Sequence, residues 1–191
     1  MTTTLVYIHG ANATRTSWNY IRSKVKSQNE CILEYSSYNK FTDNLDAMLN
    51  DLERFERVFF IGHSLGGIYA YHLANIMRSK TLGGISVATP FGGVNSANLL
   101  SMIFPFYQLY KDIKPNSYPI THVQSIKNVP RWTQVVATRG HNPIINGKND
   151  GVVTISSQKQ INSEKVYLNE SHNEILQSDN LTGLIINRIG V

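Results

Sequence analysis

The chain has 191 residues, 41 % of them hydrophobic and 16 % charged, and carries a formal charge of +5. That length suits one domain burying about 70 % of the surface of its unfolded chain, and the low charged share excludes a disordered, highly solvated polymer. The 18 Lys and Arg are scattered, as in the pairs Lys24/Lys26, Lys111/Lys114 and Lys127/Arg131, which sets nucleic acid aside as a partner.

The single cysteine, Cys31, has no internal partner and reads as a small buried hydrophobe on a strand. No basic n-region precedes the apolar run at 5–8, and nothing approaches the ~20 apolar residues of a membrane span. A soluble protein of the cytoplasm is the expectation.

In chain order, Leu5-Val6-Tyr7-Ile8 is a short buried strand ending at His9-Gly10. Trp18, Ile21 and Val25 recur at helical spacing behind Ser17, a candidate N-cap. A second strand runs from 31 to about 35. Phe41, Leu45, Met48, Leu49, Leu52 and Phe55 then mark an amphipathic helix, with Asp43 placed to favour its N-terminal dipole. A third strand at 58–61 turns sharply at Gly62 into a helix over about 65–77. The fourth strand, 85–88, is stopped by Pro90. Beyond an irregular stretch, 132–138 and 165–168 read as strands five and six. A last helix starts near Ser171, with Ser171 and Glu174 as a capping box. Apolar runs alternating with helical patterns predict a mostly parallel sheet covered by helices.

The segment Gly62-His63-Ser64-Leu65-Gly66-Gly67 matches G-x-S-x-G directly between a buried strand and a helix. A tight strand-to-helix turn holds its central residue in a strained conformation, so the flanking positions must be small. Ser64 then projects above the carboxyl edge of the sheet as a nucleophile. The following helix aims its first amides at the same place, making Leu65 N–H an oxyanion donor.

Through GHSLGG, His9-Gly10 and Ala88-Thr89-Pro90-Phe91-Gly92-Gly93, the chain resembles the α/β-hydrolase superfamily, in particular its small lipases and esterases. The last run looks like the T-P-x-x-G stretch that follows the next strand in lipases. The resemblance implies a minimal α/β-hydrolase fold of about six mostly parallel strands with helices on both faces, one domain over 1–191. The early antiparallel strands of larger members have no counterpart here.

In that superfamily the order along the chain is Ser, then Asp or Glu, then His. His172, just after the sixth strand, takes the position of the base. His9, His63 and His72 precede or adjoin the serine and read as structural, His122 falls in the irregular stretch, and His141 comes before the last strand. Asn149-Asp150-Gly151-Val152-Val153 resembles the acid loop, which makes Asp150 the candidate acid; a plain Asn-Asp-Gly turn is compatible with that role. The resemblance also gives Ala11 N–H as the second oxyanion donor. It implies no metal and no organic cofactor.

Residues 99–110 are the most apolar irregular stretch of the chain. In α/β-hydrolases this insertion point carries a cap or lid, here at about 95–128. Phe104, Phe106 and Tyr107 would line an acyl pocket or seat the enzyme transiently on a lipid surface. A plain helix packed on the sheet, or an oligomer contact, is the alternative. The expected activity is hydrolysis of a small-molecule or lipid ester through an acyl-enzyme. An amidase, thioesterase or acyltransferase would use the same three residues, and a non-catalytic binding scaffold would not need all three.

Overall fold

The computed structural model of the protein describes residues 2–95, 108–127 and 129–190. Six strands form one sheet: β1 (Thr4–Ile8), β2 (Glu30–Leu33), β3 (Val58–His63), β4 (Thr81–Val87), β5 (Trp132–Ala137) and β6 (Glu164–Leu168). Their order is β2-β1-β3-β4-β5-β6, and every neighbouring pair is parallel. From β1 the chain steps to one side to make β2, and β3 then lies on the other side. The crevice beyond the carboxyl ends of β1 and β3 is therefore the switch point, where open parallel sheets bind ligands.

Helices cover both faces. On one face α2 (Phe41–Leu52), α3 (Leu65–Ile76) and α5 (Tyr118–Ser125) bury Phe41, Met48, Ile68 and Val123 against Val6, Ile8 and Phe60. On the other, α1 (Asn19–Val25) and α7 (Asp179–Ile189) bury Ile21, Leu181 and Ile185 against Tyr7, Ile61 and Val87. The alternation along β3 feeds both cores, Phe60 to one and Ile61 to the other, and each such buried side chain contributes about 1.5–3 kcal/mol. Short helices α4 (Leu109–Asp112) and α6 (Ile155–Gln158) sit in the connections.

Three local expectations are corrected. Ser17 is not an N-cap: it lies inside a 3₁₀ turn, Arg15–Trp18, and its hydroxyl donates back to the Thr14 carbonyl at 2.8 Å. The last helix does not start at Ser171. A separate 3₁₀ turn spans Glu174–Gln177, the Ser171 hydroxyl bonds the Glu174 carboxylate, and Ser178 caps α7 by accepting from Leu181 N–H at 3.2 Å. Strand β4 begins at Thr81, four positions before the expected start, and runs through Gly83 and Gly84. The Trp132 ring lies where a Cβ on Gly84 would be, so the glycine admits the indole.

Helix α5 is fixed to α3 through His72. Its Nε2–H donates to the Pro119 carbonyl at 3.0 Å, and its Nδ1 lies 3.1 Å from His122 Nδ1. Burial, and the neighbouring His122, push the His72 imidazole down from 6.5 to about 4. The unfolded chain therefore binds a proton here that the native state refuses between those values, so acidification favours unfolding. Tm is expected to fall as pH drops from above 6.5 toward 4, and His72→Gln to flatten that fall. An unchanged Tm–pH slope in the variant would remove His72 as a cause.

Candidate active site

The site is built where β3 meets α3. Ser64 lies between them with φ 52° and ψ −124°, a conformation that costs a non-glycine residue about 1–3 kcal/mol. Surrounding bonds hold it there: Ser64 N–H donates to the Val87 carbonyl of β4 at 2.8 Å, and Gly67 N–H donates to the Ser64 carbonyl at 3.0 Å. Two glycines make the turn possible. A Cβ on Gly62 would sit 2.4 Å from the Gly66 carbonyl oxygen, and one on Gly66 would sit 2.3 Å from the Ile8 carbonyl oxygen. Bare backbone at Gly66 lets the start of α3 press against the end of β1.

Asp150 and His172 belong to the connections on either side of β6, and the structure brings them together. His172 Nδ1–H donates to Asp150 Oδ2 at 2.7 Å, and His172 N–H donates to the Asp150 carbonyl at 3.0 Å. Asp150 is 1 % exposed and its carboxylate is fully engaged. Oδ1 accepts from the backbone of Val152 at 2.9 Å and Val153 at 2.7 Å, and Oδ2 accepts additionally from Gln158 Nε2 at 3.0 Å. Each contact needs an acceptor, which a carboxylate offers at both oxygens. The Asn-Asp-Gly turn is thus also a carboxylate cradle.

Gln158 escaped the sequence reading. It is buried, its Oε1 accepts from Ala137 N–H at 2.9 Å, and its Nε2 reaches both the Ala137 carbonyl and Asp150. It thereby ties the carboxylate to the end of β5. It sits on α6, four residues capped by Thr154, too short to leave an apolar period.

The bond to Asp150 fixes the His172 tautomer, leaving Nε2 as the free acceptor. His172 and Ser64 line one cleft of about 690 Å³. Among the described residues no hydrogen bond joins the Ser64 hydroxyl to the His172 ring. Such contacts are commonly long in the absence of substrate and tighten when it binds. His63, read from sequence as structural, links the two halves. Its Nε2–H donates to the His172 carbonyl at 2.8 Å, and the two rings lie 4.8 Å apart. Burial, then the neighbouring His172, hold His63 down at about 3, so it remains a neutral donor.

The expected oxyanion donors flank the serine. Leu65 opens α3 immediately after it, and Ala11 lies in the turn beyond β1, on the cleft wall. Gly10 brings that turn close: a Cβ there would be 3.2 Å from Ser64 Cβ. His9 shapes the turn, with Nδ1–H donating to the Gly10 carbonyl at 2.8 Å and its ring stacked on Tyr35 at 4.7 Å. Phe104, Phe106 and Tyr107 lie outside the described residues. Among the described residues, no group of three or more His, Cys, Asp or Glu is arranged to hold a metal ion, and no helix is long and apolar enough to cross a membrane.

No protein-family model matches the sequence, and no curated protein matches it. Similarity appears in three dimensions. A lipase from Bacillus licheniformis, BlEst2 in mature form, is 14 % identical with a TM-score of 0.68, covering 97 % of this chain and 90 % of its own. A lipase-esterase related protein from Clostridium acetobutylicum is 14 % identical with a TM-score of 0.65, covering 98 % and 93 %. An extracellular α/β-hydrolase from a Paenibacillus species is 12 % identical with a TM-score of 0.58, covering 98 % of each chain. With its six parallel strands and its serine turn at the switch point, the chain has the α/β-hydrolase fold.

Proposed function

We propose that the protein is a serine hydrolase acting on carboxylic esters, with Ser64 as nucleophile, His172 as base and Asp150 as the residue that orients it. The observation that carries this reading is a buried Asp150–His172 pair whose histidine lines the same cleft as a strained serine. A structural histidine needs no carboxylate held by four donors, and a structural serine needs no such conformation. The neighbours named as a lipase and a lipase-esterase related protein lend it support.

The Ser64 oxygen adds to the acyl carbon while its proton passes to His172 Nε2. Asp150 holds the ring and stabilises the imidazolium. The carbonyl oxygen, now negative, takes the backbone N–H groups of Leu65 and Ala11. The ester C–O bond breaks, and the departing alcohol leaves with the proton from His172. Water then adds to the acyl-enzyme, gives a proton to His172, and the acid departs as Ser64 recovers its own.

The test is covalent labelling by a fluorophosphonate, followed by mass spectrometry. Wild type is expected to label once, on Ser64, and Ser64→Ala not at all. A folded wild-type protein that stays unlabelled would make the fold a binding scaffold. Activity on 4-nitrophenyl esters of rising chain length then places the acyl preference.

A further inference from the structure

The cleft has an uneven supply of free polar groups. None of the described residues lining it is Asp, Glu, Lys or Arg, although the chain carries +5 overall. Two ion pairs lie beside it: Lys24 is 3.7 Å from Asp179, which also accepts from the lining residue Tyr20, and Arg139 pairs with Glu174 at 2.6 Å. Several hydroxyls of the wall are occupied too. Ser17 donates to the Thr14 carbonyl, Thr16 bonds Thr14, and Tyr20 donates to Asp179 at 2.7 Å.

Four side-chain amides remain, on Asn12, Asn19, Asn173 and Gln177. Among the described residues, none of these carboxamides is bonded to another protein group. They come from both banks of the cleft, the turn after β1 with α1 and the 3₁₀ turn with its approach. Between them stand small or apolar side chains, Ala11, Ala13, Val152 and Leu176. A carboxamide presents two N–H donors and one acceptor oxygen. Neighbouring hydroxyls on a carbon skeleton, each donor and acceptor at once, complement that set. Among the described lining residues, a carboxylate or phosphate would meet no lysine or arginine.

We infer that the cleft selects an uncharged ester whose alcohol portion bears several hydroxyls, a sugar or polyol ester, held by Asn12, Asn19, Asn173 and Gln177. This rests on the serine-hydrolase reading above. The apolar side chains take the short acyl group, and the carboxamides take the hydroxyls of the leaving alcohol.

The experiment compares kcat/KM for three acetates by acid release: a methyl 6-O-acetylglucoside, hexyl acetate, and an acetylated methyl glucuronide carrying a carboxylate. The neutral sugar ester is expected to exceed each of the others by roughly tenfold, the worth of one or two neutral hydrogen bonds. Asn19→Leu with Gln177→Leu, both at exposed positions, should cut the sugar-to-hexyl ratio by about the same factor. Fluorophosphonate labelling runs alongside. A labelled enzyme that prefers hexyl acetate or the glucuronide, cleaves none of the three, or keeps its ratio in the double variant overturns the inference. An unlabelled one overturns the hydrolase reading and this inference with it.

Discussion

Alanine at Ser64 and alanine at His172 are each expected to lower kcat by about 10⁴–10⁶-fold, and the double variant to lose no more than the worse single. The expectation follows from how the two side chains depend on each other. A serine hydroxyl is a weak nucleophile near neutral pH until an imidazole takes its proton, and that imidazole has no other task in the cleft. The Asp150 bond at Nδ1 leaves Nε2 as the ring nitrogen available in the cleft that His172 shares with Ser64. KM should change little in each variant, since neither side chain is needed to hold the ground-state ester. Circular dichroism establishes that each variant is folded, and steady-state rates give the losses. Losses that multiply in the double variant would show the two residues acting independently, which ends the relay assignment.

Gly66→Ala is expected to cost the fold itself. Its Cβ would meet the Ile8 carbonyl oxygen at 2.3 Å and the His9 carbonyl oxygen at 2.4 Å, both backbone atoms at the end of β1. No rotamer change relieves such a contact, so α3 must lift away from the sheet beside Ser64. Overpacking of this kind costs about 3 kcal/mol or more out of a total of roughly 5–15 kcal/mol. For a chain of this size that is a Tm loss of at least roughly 6–12 °C, or insoluble protein. Gly183, inside α7 with nothing within 4 Å of where a Cβ would lie, is the control. Gly183→Ala should raise stability by about 0.5–1 kcal/mol. A Gly66→Ala variant melting within two or three degrees of wild type would contradict the packing described at the serine turn.

The parts of this protein that sequence exposed are those whose constraints are local. The six residues from Gly62 to Gly67 carry their own explanation, because the small residues and the strained serine collide or fit within one turn. Strands β1 and β3, continuous apolar runs buried on both faces, were legible for the same reason. His172 and Asp150 were reached through chain order in a superfamily, not through any pattern of their own. Gln158 had no local mark at all: its role exists only because β5, the Asp150 turn and α6 converge. His63 offered a histidine beside a serine, but its partner is a backbone carbonyl 109 residues away. Cys31 illustrates a smaller gap. It does lie on a strand, yet β2 is a sheet edge, so the thiol is only half-buried, and burial pushes its pKa up.

Asp150 and His172 hang from the same stretch of chain around β6, joined twice over, by side chains and by backbone. A displacement of that stretch carries both groups as one body and leaves their mutual geometry intact. What it would change is the gap across to Ser64, spanned by the His63 imidazole. Orientation and reach are thereby decoupled: the first is set inside one block, the second by how closely two blocks abut.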